Sequence, residues 1–166
     1  MQKIISNLCY IKWLLFIIIL FSSLIQGQES HKYTHLKTYV GGDAVENVLQ
    51  DEILNPVLKK IMGKEYRHLI GNLSVTGGVD FISGSIVVDG NAPHQGGSEM
   101  AILDINLYTG KVTAAIYQEG TIKIYSDKGK AGNNYNSVPI SIKDWLAVIS
   151  TNYNYRSSMP GNVFIK

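Results

Sequence analysis

The stretch AILDINLYTGKVTAAIYQEGTIKIYS, residues 101–126, decides the fold because its apolar residues alternate with other residues in three successive runs. A period of two is typical of strands that bury one face. Two glycine-containing turns, Tyr108-Thr109-Gly110 and Glu119-Gly120, separate the runs and suit tight connections between antiparallel neighbours. The stretch therefore predicts a meander of three antiparallel strands, over residues 101–107, 111–118 and 121–126.

The segment before the meander changes from a helical pattern to a strand pattern. Apolar residues recur at helical spacing over residues 43–53. Asn55-Pro56 predicts the start of a second helix, with the asparagine as its cap, and Gly63 predicts its end. A third short helix is predicted over residues 64–71, and a strand over residues 81–89.

The segment after the meander predicts a polar loop, a helix and a polar tail. Ser141 and Asp144 resemble a capping box at the start of a helix that contains Trp145. The run Val163-Phe164-Ile165 could add an edge strand within the tail. We therefore expect an α+β fold, an antiparallel sheet with helices packed on one side.

Residues 1–27 have the order of a secretory signal peptide. Lys3 and Lys12 precede an apolar run over residues 13–25, and Gly27 supplies a small residue for cleavage. A membrane anchor is the alternative, but the run is shorter than the roughly 20 residues that cross a bilayer. We expect a periplasmic or secreted protein whose contact with the membrane is limited to the transient signal peptide.

Removal of this signal changes both the charge and the cysteine content. The chain has 15 Lys and Arg against 13 Asp and Glu, and loss of two lysines leaves 13 of each. Cys9, the only cysteine, leaves as well, so the mature chain must fold without disulfides. Nothing indicates the clustered basic face that nucleic-acid binding needs. The predicted units are a signal over 1–27, a loose lead-in over 28–42, the α+β domain over 43–151 and a polar tail over 152–166.

The segment DGNAPHQGGSE, residues 89–99, is longer than a hairpin connection requires and is rich in turn formers. Loops of this kind are often functional. Pro93 fixes a backbone angle beside His94, and the glycines permit a sharp bend, which together predict an exposed imidazole at the loop tip. Imidazole can donate or accept hydrogen bonds and gains charge near neutral pH, so it suits a carboxylate on a partner. A solvated histidine without a role is the plain alternative.

The run GNAPHQGG (90–97), followed by EMAILDINLYTGKVTAAIYQEGTIKIYS (99–126), resembles the inhibitor of vertebrate lysozyme (Ivy) family of periplasmic proteins. Members carry a Cys-x-Pro-His-x-Cys loop before a β-hairpin of similar pattern. Pro93 and His94 match this motif, while Asn91 and Gly96 stand at the two cysteine positions. The resemblance extends over residues 44–150.

The resemblance implies that a loop of this protein enters the active-site cleft of a c-type lysozyme and blocks it without any reaction. His94 would hydrogen-bond to the paired catalytic carboxylates of the enzyme, with Pro93 as its rigid support. Family members close the loop with a disulfide, so here order must come from the proline, turn hydrogen bonds and the sheet. The implied inhibitory loop comprises Asn91, Ala92, Pro93, His94, Gln95, Gly96 and Gly97.

Other functions remain open at this point. The missing disulfide implies weaker inhibition, another muramidase as target, or a relative that has lost the activity. An exported module that binds an envelope protein or glycan, or an immunity protein against a wall-degrading toxin, would fit the same fold. His94 with Asp89 or Glu99 could form a catalytic pair with Ser98, and His31 with His35 could bind a metal. No nucleophile or nucleotide-binding motif is present, so we expect no enzyme, cofactor or metal, while a homodimer is left open.

Overall fold

The structure, a computed structural model, describes residues 32–127, 134–149 and 159–166. The predicted signal peptide, His31, part of the polar loop and part of the tail lie outside the described residues. Within the described ranges, every helix is too short or too polar to cross a membrane.

The described residues contain the strands β1 Val75–Thr76, β2 Asp80–Ile82, β3 Ser85–Asn91, β4 Glu99–Asn106, β5 Val112–Gln118, β6 Thr121–Ser126 and β7 Val163–Ile165. They form one seven-stranded sheet in the order β1-β3-β4-β5-β6-β7, with β2 also paired to β3. All neighbours are antiparallel except β6 and β7, which are parallel. The predicted meander is confirmed as β4, β5 and β6, and the edge strand as β7.

The single strand predicted over residues 81–89 is wrong, because the chain reverses within it. Ser83 and Gly84 both have positive φ, 50° and 84°, and join β2 to β3. Two such residues give a type I′ hairpin turn, whose twist matches that of the flanking strands. Gly84 also needs its small size, since a Cβ there would lie 2.2 Å from the ring of Tyr108.

Within the described residues, four α-helices and three 3₁₀ elements accompany the sheet. The helix predicted from Asn55 begins earlier, because Asp51 Oδ1 accepts hydrogen bonds from the backbone N–H groups of Ile53 and Leu54 at 3.1 and 2.9 Å. Asn55 is therefore not the cap, and its Nδ2 donates instead to Leu49 O and to the Tyr66 hydroxyl, both at 2.6 Å. The helical elements are a 3₁₀ helix Thr34–Tyr39, α1 Val45–Leu49, α2 Leu54–Met62, a 3₁₀ turn Gly63–Glu65, α3 Tyr66–Asn72, a 3₁₀ turn Tyr135–Ser137 and α4 Ile140–Ile149.

The sheet is covered on both faces, which corrects the expectation of helices on one side only. Strand residues alternate between two cores, so that Ile86 faces the core of α1, α2 and α3, whereas Val87 faces the core of α4. The central strands carry apolar side chains on both faces of the sheet, as the buried neighbours Ile102 and Leu103 show. Each face must therefore be buried against another layer. The α+β class itself is confirmed.

Two further sequence expectations differ from the structure near the termini of the domain. The lead-in is packed rather than loose where it is described, because Tyr33 and Leu36 are buried in the core of α1, α2 and α3. Ser141 lies inside α4 rather than capping it, and its hydroxyl donates a hydrogen bond to the Asp104 carboxylate. Each difference reflects a tertiary contact that the local sequence does not contain.

Candidate functional site

The predicted loop projects beyond the sheet between β3 and β4. Asn91 and Met100 are the last residue pair between β3 and β4. Beyond this pair, Ala92 N donates a hydrogen bond to Glu99 O at 3.0 Å, which closes the base of the loop. Residues 93–98 are all exposed. The loop is therefore shorter than the predicted segment 89–99, because residues 89–91 belong to β3 and Glu99 begins β4; residues 92–98 connect the two strands at one end of the sheet.

The outer part of the loop is a tight turn with His94 at its third position. Gln95 N donates to Ala92 O at 3.1 Å, and Pro93 and His94 lie between them. His94 has φ 62°, which a type II turn requires at this position, and proline is common just before it. A non-glycine residue in this region is uncommon and costs on the order of 1–3 kcal/mol, and such residues cluster at functional sites. The backbone on both sides therefore fixes the position of His94 at the exposed turn.

A second turn returns the chain to β4. The Gln95 carbonyl accepts three hydrogen bonds, from Ser98 N and Glu99 N at 3.1 Å each and from the Ser98 hydroxyl at 3.0 Å. Gly97, with φ 88°, supplies the left-handed residue that this turn needs. Proline, turn hydrogen bonds and the sheet thus order the loop without a covalent bond.

The two positions at which the resemblance places cysteines lie side by side. A Cβ built on Gly96 would lie 3.9 Å from Asn91 Nδ2 and would meet no other nearby atom more closely. Asn91 is the last residue of β3, while Gly96 lies in the return turn. The base of the loop is therefore narrow at this point.

The loop base is supported by Asn72, which the sequence did not identify, and by Gly90 of the predicted segment. Asn72, at the end of α3, is buried, and its Nδ2 donates to Met100 O at 3.1 Å. A Cβ on Gly90 would lie 2.5 Å from Val75 O, so only glycine allows β1 to approach β3 here. In the sequence, Asn72 is only a polar residue near the end of a predicted helix, and such residues are too common to indicate a contact with the loop. Both residues position the loop rather than contact a partner.

The described residues show no arrangement of side chains that would support a catalytic pair at His94 or a metal site at His35. Among these residues His94 makes no hydrogen bond or ion pair with Asp89 or Glu99. The pKa of Asp89 is raised by its burial and, to a smaller extent, by the charge of Asp80. His35 Nε2 instead lies 2.7 Å from Asp51 Oδ2, the carboxylate that begins α2. No group of three or more His, Cys, Asp or Glu among the described residues could hold a metal ion.

Comparison with known proteins identifies the chain at the level of its family. The family model described as inhibitor of vertebrate lysozyme (Ivy) matches residues 54–151, which contain the loop and the strands on either side of it. No curated protein and no solved structure matches the chain. Since the matched segment is more than half of the 166 residues, the chain belongs to the inhibitor of vertebrate lysozyme (Ivy) family.

Proposed function

We propose that the protein is an exported inhibitor of a c-type or related lysozyme, and that the loop Asn91–Gly97 inserts into the active-site cleft of that enzyme. Membership of the family supports lysozyme inhibition in general, with a lysozyme as the protein partner. The single observation that carries the loop mechanism is the exposed His94, held at φ 62° between Pro93 and the Gln95 turn.

The chemistry of the imidazole suits the catalytic centre of a glycosidase. Such an enzyme uses two carboxyl groups, one protonated as general acid and one ionised. Imidazole has two ring nitrogens, of which one can donate to the ionised carboxylate while the other accepts from the protonated one. The loop then blocks the cleft and occupies both catalytic groups, and the inhibitor performs no reaction.

The geometry of the loop supports binding despite the absent disulfide. Ordering a loop during association lowers affinity. Here the Gln95 carbonyl already holds the return turn through three hydrogen bonds, and Ala92 N with Glu99 O closes the base. We infer that much of the binding conformation exists before the enzyme arrives.

Export is part of the same proposal. The signal pattern over residues 1–27 supports a periplasmic or secreted protein. Lysozymes act on the cell wall, and an inhibitor that protects a bacterial wall must reach the same compartment. The mature protein would meet its target there.

A lysis assay with c-type lysozyme tests the function and the role of His94. We expect wild type to slow lysis and His94→Ala to inhibit about 10–100-fold less well, the usual effect of losing hydrogen bonds to charged groups. His94→Gly, which removes the ring but accepts positive φ, should behave like His94→Ala if the imidazole rather than the backbone matters. His35→Asn removes an exposed imidazole from a different element and should inhibit like wild type.

Two outcomes of this assay would contradict the proposal. Lysis that proceeds unchanged with wild type would exclude a c-type lysozyme as the target. Full inhibition by both His94 variants would exclude the imidazole as the group that binds the carboxylates.

A second candidate is inhibition of another muramidase, such as a wall-degrading toxin of a competing bacterium. Asn91 and Gly96 stand where the family has its two loop cysteines, and this difference in the loop favours a target other than a c-type lysozyme. The balanced charge of the mature chain also gives little long-range attraction to a basic lysozyme. Inhibition of a bacterial muramidase together with no effect on c-type lysozyme would select this candidate.

A further inference from the structure

A shallow depression lies beside the loop, between β5 and β6. It has a volume of about 170 Å³ and is lined by Ile116, Gln118, Glu119, Thr121 and Lys123. In the β5–β6 ladder Ile116 is paired with Lys123 and Gln118 with Thr121, so these four residues lie on one face of the sheet. Ile116 is almost fully buried and forms an apolar floor under a polar rim.

The depression and the loop are at the same end of the sheet. Glu99, the residue that follows the loop, pairs with Gln118, and Gln118 Nε2 lies 3.5 Å from Glu99 Oε1. Adjacent strands are only about 5 Å apart, so the rim of the depression begins one strand away from the loop base. A protein that receives the loop in a cleft would therefore have part of its surface close to this depression.

The free charge around the depression is negative. Lys123 Nζ donates to Glu65 Oε1 at 3.0 Å, and His68 Nδ1 lies 2.8 Å from Glu65 Oε2. The hydrogen bond from Lys123 holds the pKa of Glu65 below its ordinary value, so the lysine is already neutralised by an ionised partner. Glu119, in contrast, has no ion pair among the described residues.

Glu119 also stands in a backbone conformation that glutamate rarely adopts. Its φ is 48° and that of Gly120 is 78°, as in a type I′ turn. Asparagine, aspartate or glycine is the usual first residue of this turn. Glutamate at this position therefore costs stability that asparagine would not cost.

We infer that this depression is a second recognition site, which binds a lysine or arginine side chain of the lysozyme whose cleft receives the loop. The inference rests on the proposed function. The Glu119 carboxylate would accept charge-assisted hydrogen bonds, with the side chains of Gln118 and Thr121 as further acceptors. The aliphatic stem of the bound residue would pack on Ile116. Two separate contacts fix the orientation of the enzyme, which a single inserted loop cannot do.

Binding measurements with three variants test this site. Glu119→Gln should raise the Kd for lysozyme about tenfold at low salt and reduce the dependence of association on salt, as expected for a charged rim contact. Glu46→Gln is the control, because it changes the net charge equally at an exposed site on α1. Glu119→Asn should weaken binding as much as Glu119→Gln while raising the melting temperature, since asparagine suits the turn.

The outcomes separate this inference from the proposed function. Equal Kd values for Glu119→Gln and Glu46→Gln, in a protein whose binding depends on His94, overturn the second site alone. A wild-type protein that binds no lysozyme overturns the proposed function and this inference with it.

A titration without any enzyme tests the chemistry of the depression directly. N-acetyl-arginine amide should shift the amide NMR signals of Gln118, Glu119 and Thr121, and Glu119→Gln should abolish the shifts. N-acetyl-glutamate is the matched anionic probe and should leave these signals unchanged. Equal shifts with both probes, or none with the arginine compound, overturn a site for cationic side chains.

Discussion

His94 is one of three non-glycine residues with positive φ among the described residues, together with Ser83 and Glu119. Ser83 and Glu119 each precede a glycine in a two-residue hairpin turn, where positive φ is the normal geometry. His94 instead follows Pro93 inside a longer loop. Its conformation is imposed by the hydrogen bond between Gln95 N and Ala92 O and by the closed base. The backbone of the residue that is expected to contact the enzyme is therefore fixed by the loop around it.

Gly97 offers a clean test of how far the loop conformation matters for binding. Its φ is 88°, and an added Cβ would meet no atom within 4 Å, so only the backbone preference opposes Gly97→Ala. A left-handed residue other than glycine costs about 1–2 kcal/mol. We expect the variant to keep its fold, measured by circular dichroism, and to bind lysozyme roughly five- to thirtyfold more weakly.

Gly96→Ala is the matched control for this prediction. Gly96 does not have positive φ, and its Cβ would make an ordinary contact with Asn91 Nδ2 at 3.9 Å. Its Kd should stay close to that of wild type. Equal losses in both glycine variants would show that the order of the second turn is unimportant.

At the scale of elements, the sequence predicted the strands better than it predicted where the helices begin. The meander was predictable because its period of two and its glycine turns are local signals. The start of α2 was not, since Asp51 and Asn55 are both acceptable caps, and only the contact of Asn55 with Leu49 and Tyr66 decides between them. Likewise, the Ser83-Gly84 reversal depends on the close fit of Gly84 against Tyr108.

The loop itself followed from the sequence only in part. Its exposure and its Pro93-His94 tip were predicted, whereas its length was overestimated, because β3 extends to Asn91 and β4 begins at Glu99. The support from Asn72 was not predicted, because that contact joins residues 28 positions apart in the chain. The role of these residues in binding stays a prediction. A covalent link across the loop provides the element-scale test.

The double variant Asn91→Cys with Gly96→Cys should form a disulfide under oxidising conditions and bind lysozyme severalfold more tightly. The two positions are adjacent, and closing the loop removes part of the ordering that otherwise opposes association. Kd is measured for the oxidised form and again after reduction. The variant with serine at both positions controls for the loss of the asparagine and the glycine. An oxidised form that binds no better than the reduced form would mean that the loop is already fully ordered.

At the scale of the whole molecule, α4 is attached to the sheet through a buried carboxyl group. Asp104 lies on β4 under this helix, and its Oδ2 accepts a hydrogen bond from Ser141. Oδ1 is buried without a partner among the described residues, as is the hydroxyl of Thr113 on the opposite strand. The period of two predicted strands that bury one face, which is why the sequence did not predict a second helical layer.

Asp104 should make the stability of the whole domain decrease between acidic and neutral pH. Burial raises the pKa of Asp104, and the hydrogen bond from Ser141, with the charge of Lys111, offsets only part of the rise. A carboxyl group with a raised pKa stabilises the fold below its unfolded pKa, and that contribution is lost as pH rises through the folded pKa. Asp104→Asn cannot ionise, so its melting temperature relative to wild type should increase from acidic to neutral pH. Ser141→Ala should show the opposite trend, because the ionised carboxylate loses its donor. Parallel pH profiles for all three proteins, in thermal melts followed by circular dichroism, would mean that Asp104 does not change its protonation on unfolding.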